Sequence, residues 1–220
     1  MPLGIKPSCV ICAWRTGCKK QFSITDPSRC PDFSPDVSVK DLPGRKGAKV
    51  LVEGPPGCGK TTLTERLITR LGRDRRVGGF FTREIREHGG RVGFRVISVD
   101  KQEGVLAHEK MEGAHKVGRY TVNMQALEEV GVSSVERALR EDDVIVIDEI
   151  GKMELFSRRF REMVEIALAG EKPLFATVAR QGPPFLDEIK RRQGVRLLAL
   201  TPSNLDEVLE QAVGLIGEGA

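Results

Sequence analysis

The chain has 220 residues with a formal net charge of +4, 40% hydrophobic and 30% charged residues, which allows one sizeable core plus a small appendage and excludes two large domains. No apolar run approaches the roughly 20 residues that span a bilayer, and the first residues lack the cationic start and apolar core of a secretory signal. A cytoplasmic protein is expected, with nucleic-acid binding permitted but not indicated by its interleaved charges.

Four of the five cysteines fall in the first 30 residues, as Cys9, Cys12, Cys18 and Cys30. Disulfides are disfavoured in the cytoplasm, so clustered thiols point to metal or redox chemistry. Zinc is the simplest occupant, because tetrahedral thiolate ligation can fold a segment that has no core of its own. Cys30 followed by Pro31 also suits an iron–sulfur ligand, and reduced thiols packed as small hydrophobes are the structural alternative. Residues 31–47 are rich in Pro, Asp, Ser and Gly without apolar period, which reads as a linker. The domain division is therefore 1–43, a cysteine-rich segment and linker, and 44–220, the main domain, whose ordered part begins near Ala48.

The first strand, AKVLVE, is apolar enough to be buried on both faces of a parallel sheet. It runs into Gly54, Pro55, Pro56, Gly57, Cys58, Gly59, Lys60, Thr61 and Thr62, a full match to the phosphate-binding pattern G-x-x-x-x-G-K-[ST]. Glycines let backbone N–H groups curl around phosphate oxygens, and the helix that follows adds the positive end of its dipole. Lys60 supplies positive charge, and the Thr61 hydroxyl is placed to ligate magnesium. Cys58 is expected to be a filler at a position tolerant of side chains, with redox sensitivity as a remote alternative. Leu63, Leu67, Ile68 and Leu71 give residues 61–71 a helical period, and Gly72 ends it.

Residues 77–100 alternate as two strands around His88-Gly89-Gly90. Thr82, Glu84 and Arg86 share one face just beyond an apolar stretch, where an open sheet presents residues to its ligand crevice, for phosphate or water positioning. After a glycine-punctuated region over 104–120, helices are expected over 124–129 and 133–140. Residues 144–147 are four consecutive apolar positions ending in Asp148 and Glu149, the Walker B pattern. There Asp148 belongs to the magnesium shell and Glu149 orients or polarises the attacking water. A packing helix over 152–169, a buried strand LFATV, a helix over 185–192, a strand over 195–200 and a helix over 204–216 follow. Thr177 and Arg180 leave LFATV on the nucleotide side, where Arg180 suits a terminal-phosphate sensor and a surface arginine equally well. The basic runs over 73–76 and 190–192 read as solvated faces. Strands alternating with helices predict an α/β fold, three layers around a mainly parallel sheet.

With GPPGCGKTTL, GFFTREIREHGGRVGF, KVGRYTVN and VIVIDEIGKMEL in this order, residues 48–216 resemble the P-loop nucleoside-triphosphatase family first described in thermophiles and known in animals as a cancer-related nucleoside-triphosphatase. The resemblance implies a RecA-like or ASCE-type P-loop fold and slow, magnesium-dependent hydrolysis of several nucleoside triphosphates. It carries over the phosphate loop with Lys60, the Thr82, Glu84 and Arg86 region, and Asp148 with Glu149. Two departures stand out. The family usually has proline after the Thr-Val of LFATV, where this chain has Ala179 and Arg180, and Asn-Arg near the end, where it has Asn204-Leu205; the cysteine segment lies outside the resemblance. The rival readings are a nucleoside or polynucleotide kinase, and a nucleotide-gated binding module with a metal-bound N-terminal segment. Base preference, pathway and oligomeric state are not legible.

Overall fold

The computed structural model of the chain describes residues 47–218. The proposed ligands Cys9, Cys12, Cys18 and Cys30 lie outside the described residues, as does the linker apart from Gly47. Strands β1 (Lys49–Glu53), β2 (Val77–Glu87), β7 (Val144–Ile150), β8 (Leu174–Val178) and β9 (Val195–Ala199) form a parallel array, joined antiparallel at β2 to β3 (Gly90–Ser98). Beyond β3 come β4 (Glu103–His108), β6 (Tyr120–Val122) and β5 (Lys116–Val117), giving the order β5-β6-β4-β3-β2-β7-β8-β1-β9. Only β3 and β6 run against the rest, so parallel direction predominates as expected.

Central position explains strand composition. Every residue of β8 is buried, as are residues 144–148 of β7 and the first four of β1. Edge strand β9 is partly exposed throughout. Helix α1 (Lys60–Leu71) turns Leu63, Leu67 and Leu71 toward Val50, Val52, Val144, Val146 and Phe175, where they meet Val208, Ala212 and Ile216 of α6 (Leu205–Glu218). Side chains alternate along a strand, so Ile147, in register with Phe80, faces the other way. On that face Phe160 of α4 (Arg158–Ala169) packs against Phe80, ring centroids 6.0 Å apart. Helices on both faces of one sheet make the expected three layers.

Three elements depart from expectation, each for a local reason. The glycine-punctuated region contains β4 and β5, because glycine there permits close approach rather than breaking a strand. A Cβ on Gly104, in β4, would lie 3.0 Å from the Ala126 Cβ. The two helices expected over 124–140 are continuous: α2 (Met124–Ala126) passes through a π-helical stretch (Leu127–Val132) into α3 (Ser133–Glu141), with Gly131 buried inside rather than ending a helix. The single helix expected over 152–169 is instead a 3-10 turn (Glu154–Phe156) and α4, separated at Ser157, which takes an extended conformation and accepts the Phe160 N–H at 2.9 Å. The hairpin turn is as predicted. His88 and Gly89 both have positive φ, 48° and 82°, the signature of a two-residue type I′ connection.

Candidate active site

Strand order assembles the site. β8 separates β1 from β7, so the loop after β1, the end of β8 and the acid pair on β7 share one edge of the sheet. At that edge the phosphate loop turns through Gly57 (φ 78°) and Gly59 (φ 101°), a region that disfavours side chains. The first bond of α1 runs from Leu63 N–H to the Gly59 carbonyl at 2.8 Å. The amides of Lys60, Thr61 and Thr62 precede it, and Gly59 brings no capping side chain. Uncapped amides at a helix N-terminus are an anion-binding arrangement.

Cys58 is not a tolerant filler. It is 4% exposed within the core cluster. A Cβ on Gly54 would lie 2.5 Å from its Sγ and 2.7 Å from the Leu200 carbonyl oxygen. Gly54 and Cys58 therefore fit one another, and a larger side chain at either would displace the loop. Lys60 reaches back across the loop, donating from Nζ to the carbonyls of Gly54 at 3.1 Å and Pro55 at 3.4 Å. The same ammonium lies 3.4 Å from Glu149 Oε2.

Asp148 is 1% exposed and ringed by donors. Its Oδ2 accepts the Thr61 hydroxyl at 2.8 Å and the Thr82 backbone N–H at 3.4 Å, and its Oδ1 accepts the Thr177 hydroxyl at 2.5 Å. Burial pushes the Asp148 carboxyl above the ordinary range, while Thr177, Thr61, the Thr82 amide and Lys60 pull it back. Glu149 follows it through a cis peptide. Burial also raises Glu149, opposed mainly by the Lys60 charge and reinforced by that of Asp148. A third carboxyl lies nearby. Glu154 is 5% exposed, accepts the Gly151 N–H at 3.1 Å, and is pushed up to about 8 by burial and then by the charges of Glu149 and Asp148.

The structure brings Lys60, Thr61, Asp148 and Glu149 together, with Thr82 joining through its amide rather than its hydroxyl. Glu84 and Arg86 stand farther along β2 and are engaged with each other. Arg86 Nε donates to Glu84 Oε2 at 2.9 Å, and Arg91 Nη1 donates to Glu84 Oε1 at 2.8 Å. These bonds hold Glu84 below the usual carboxylate range against its own burial. Arg180 is exposed on the turn after β8. Glu154 and the Thr177 bond to Asp148 escape sequence reading, since a Glu in an apparent helix and a Thr in an apolar strand carry no signal of their partner. The solvated face expected over 190–192 fails at Lys190, whose side chain is 8% exposed and paired with Glu53 at 2.8 Å. It holds better at 73–76, where Arg76 pairs with Asp143 and Arg75 caps the end of α6 through the Ile216 carbonyl.

Among the described residues no group of three or more His, Cys, Asp or Glu side chains is placed to hold a metal ion. The Thr61 hydroxyl and Asp148 carboxylate are nevertheless adjacent hard oxygen ligands beside the phosphate loop, a donor set that suits magnesium, which takes few protein ligands and keeps its waters.

Residues 49–213 match the family described as NTPase. The nucleoside-triphosphatase THEP1 of Thermotoga sp. strain RQ2 is 45% identical over 168 residues, covering 76% of this chain and 95% of that protein. The protein of the same name from Methanocaldococcus jannaschii is 38% identical over 172 residues, covering 78% and 98%. Among solved structures, the crystal structure of THEP1 from the hyperthermophile Aquifex aeolicus superposes with a TM-score of 0.71 at 38% identity, covering 76% of this chain and 98% of its own. The solution structure of a human cancer-related nucleoside triphosphatase gives 0.67 at 31%, covering 79% and 99%. With the phosphate loop, Asp148 and Glu149 arranged as described and the match running through all of them, this chain belongs to the NTPase family of nucleoside-triphosphatases.

Proposed function

We propose that this site hydrolyses nucleoside triphosphates to diphosphate and phosphate, slowly and with broad base specificity. The observation that carries the reading is the convergence of Lys60, Thr61, Asp148 and Glu149, with Thr61 2.8 Å from Asp148 and Lys60 3.4 Å from Glu149. The amides at the start of α1 and the Lys60 ammonium neutralise and orient the phosphate chain. Thr61 and Asp148 would hold a magnesium ion, which when bound offsets negative charge on the outer phosphates. Glu149 draws a proton from the attacking water, whose oxygen bonds to phosphorus as the bridging oxygen leaves with the diphosphate. Thr177 and the Thr82 amide fix the Asp148 carboxylate. Arg180, and Glu84 with Arg86 once their mutual pairing is exchanged for ligand, are positioning groups in the same reading.

Placement of β8 between the loop strand and the acid-pair strand supports a RecA-like, ASCE-type assignment. The names of the relatives favour water as acceptor over the nucleoside or polynucleotide of a kinase. No helix among the described residues is long and apolar enough to cross a membrane, and a cytoplasmic location is part of the proposal. The test is phosphate release from ATP, GTP, CTP and UTP with magnesium. Glu149→Gln should keep nucleotide binding and lose about a hundredfold or more in kcat, the usual worth of a general base. Unchanged turnover in that variant would remove Glu149 from the mechanism.

A further inference from the structure

Lys190 ends α5 (Pro184–Lys190), in a run whose composition suggests a solvated face, yet its ammonium is buried at the foot of the phosphate loop. It pairs with Glu53 at 2.8 Å and donates to the Arg180 carbonyl at 3.0 Å. Glu53 is the last residue of β1, immediately before Gly54, and its own carbonyl accepts the Leu200 N–H at 2.7 Å. On the other side, Ala179 N–H donates to the Ile150 carbonyl at 3.1 Å, tying the turn after β8 to the end of β7. One ammonium therefore braces the residue that launches the phosphate loop against the turn lying between that loop and the acid pair.

Arg180 is the residue whose backbone the brace holds. Its guanidinium has no hydrogen-bond or ion-pair partner among the described residues, whereas Arg83 is bound to Glu65, Arg86 to Glu84 and Arg192 to Glu165. A long side chain recruited to a phosphate loses conformational entropy, and the loss is smaller when its backbone is already fixed. The planar guanidinium fork also matches phosphate oxygens in pairs.

Resting on the hydrolase reading, we propose that Arg180 supplies the positive charge that meets the terminal phosphate, and that Lys190 with Glu53 is the positioning pair that sets it. In the transition state negative charge is spread over the equatorial phosphate oxygens and grows on the leaving bridging oxygen, and a cation whose backbone is held at the end of β8 can meet it there.

Phosphate release with magnesium and ATP, diphosphate binding and thermal midpoint are measured on the full chain. Arg180→Ala should lower kcat about 10- to 100-fold, the order of the difference between a GTPase with its arginine in cis and one without it, with diphosphate affinity unchanged. Lys190→Met should lower kcat about tenfold, and the double variant should be no slower than Arg180→Ala, since residues acting as a unit are not additive. Multiplicative losses would show that Lys190 acts independently of Arg180 and overturn the brace. Full turnover in Arg180→Ala would overturn the whole proposal. Should Lys190→Met not fold, Glu53→Gln takes its place with the same non-additivity expected. The hydrolase reading fails in a different way, by absence of phosphate release from the unaltered chain.

Discussion

At Asp148 burial and hydrogen bonding act in opposite directions, and burial prevails, leaving the carboxyl above its ordinary range. Three donors surround it, of which Thr177 lies on a strand that could have been wholly apolar. Glu154 lacks such an escort, with the Gly151 amide as its donor and two like charges beside it. Its carboxyl therefore titrates at about 8, above the ordinary 4.5. Between those values the folded chain holds a proton that the unfolded chain has released, so stability falls as pH rises through the window. Glu154→Gln keeps the acceptor for the Gly151 N–H and cannot ionise. Its thermal midpoint, measured without nucleotide, should gain on that of the unaltered protein from pH about 4.5 to about 8. A difference constant across that range would show that Glu154 does not titrate there.

At the level of elements, what a sequence shows depends on whether the signal is local. Apolar period identified α1, β1, β7, β8 and α4, because each buries its pattern against the same sheet. The break at Ser157 lies within an unbroken apolar stripe and was invisible in it. Its cause is one side chain: the Ser157 hydroxyl accepts the Phe160 N–H and donates to Glu128 on the π-helical stretch. Loss of an N-cap costs about 1 kcal/mol, within a range of about 0.5 to 2. Ser157→Ala also removes one hydrogen bond from the Glu128 carboxylate, which keeps its pairing with Arg159. Urea unfolding should place Ser157→Ala at least 1 kcal/mol below the unaltered chain by this reasoning, and a midpoint unchanged within error would show the cap to be dispensable.

For the whole molecule the deciding fact is strand order. Residues far apart in the chain meet because β8 sits between β1 and β7, and the ligand is expected to bind across all three ends. Binding to the folded state alone should stabilise it by mass action. A magnesium nucleoside diphosphate at about a hundred times its Kd adds about 2.7 kcal/mol, or about 5 to 10 °C in Tm for a domain of this size. Calorimetry should register that shift in the unaltered chain and its loss in Lys60→Ala, which removes the loop cation; an equal shift in both would place the nucleotide elsewhere.

The phosphate loop was legible residue by residue, because its chemistry requires glycine, lysine and threonine at fixed spacing within one strand-turn-helix unit. The acid pair was legible for the same reason, as the polar end of a buried apolar run. The thiolate site at Cys9, Cys12, Cys18 and Cys30 still rests on spacing alone. Sequence could not reveal the partners of Asp148 on β8, the third carboxyl at Glu154, the tight fit of Cys58 against Gly54, or the burial of Lys190 against Glu53. Each joins residues from different elements, and nothing in a local pattern encodes which strands will be neighbours. Tertiary structure settled those contacts because a sheet edge collects the ends of strands by their order in space, not by their order in the chain.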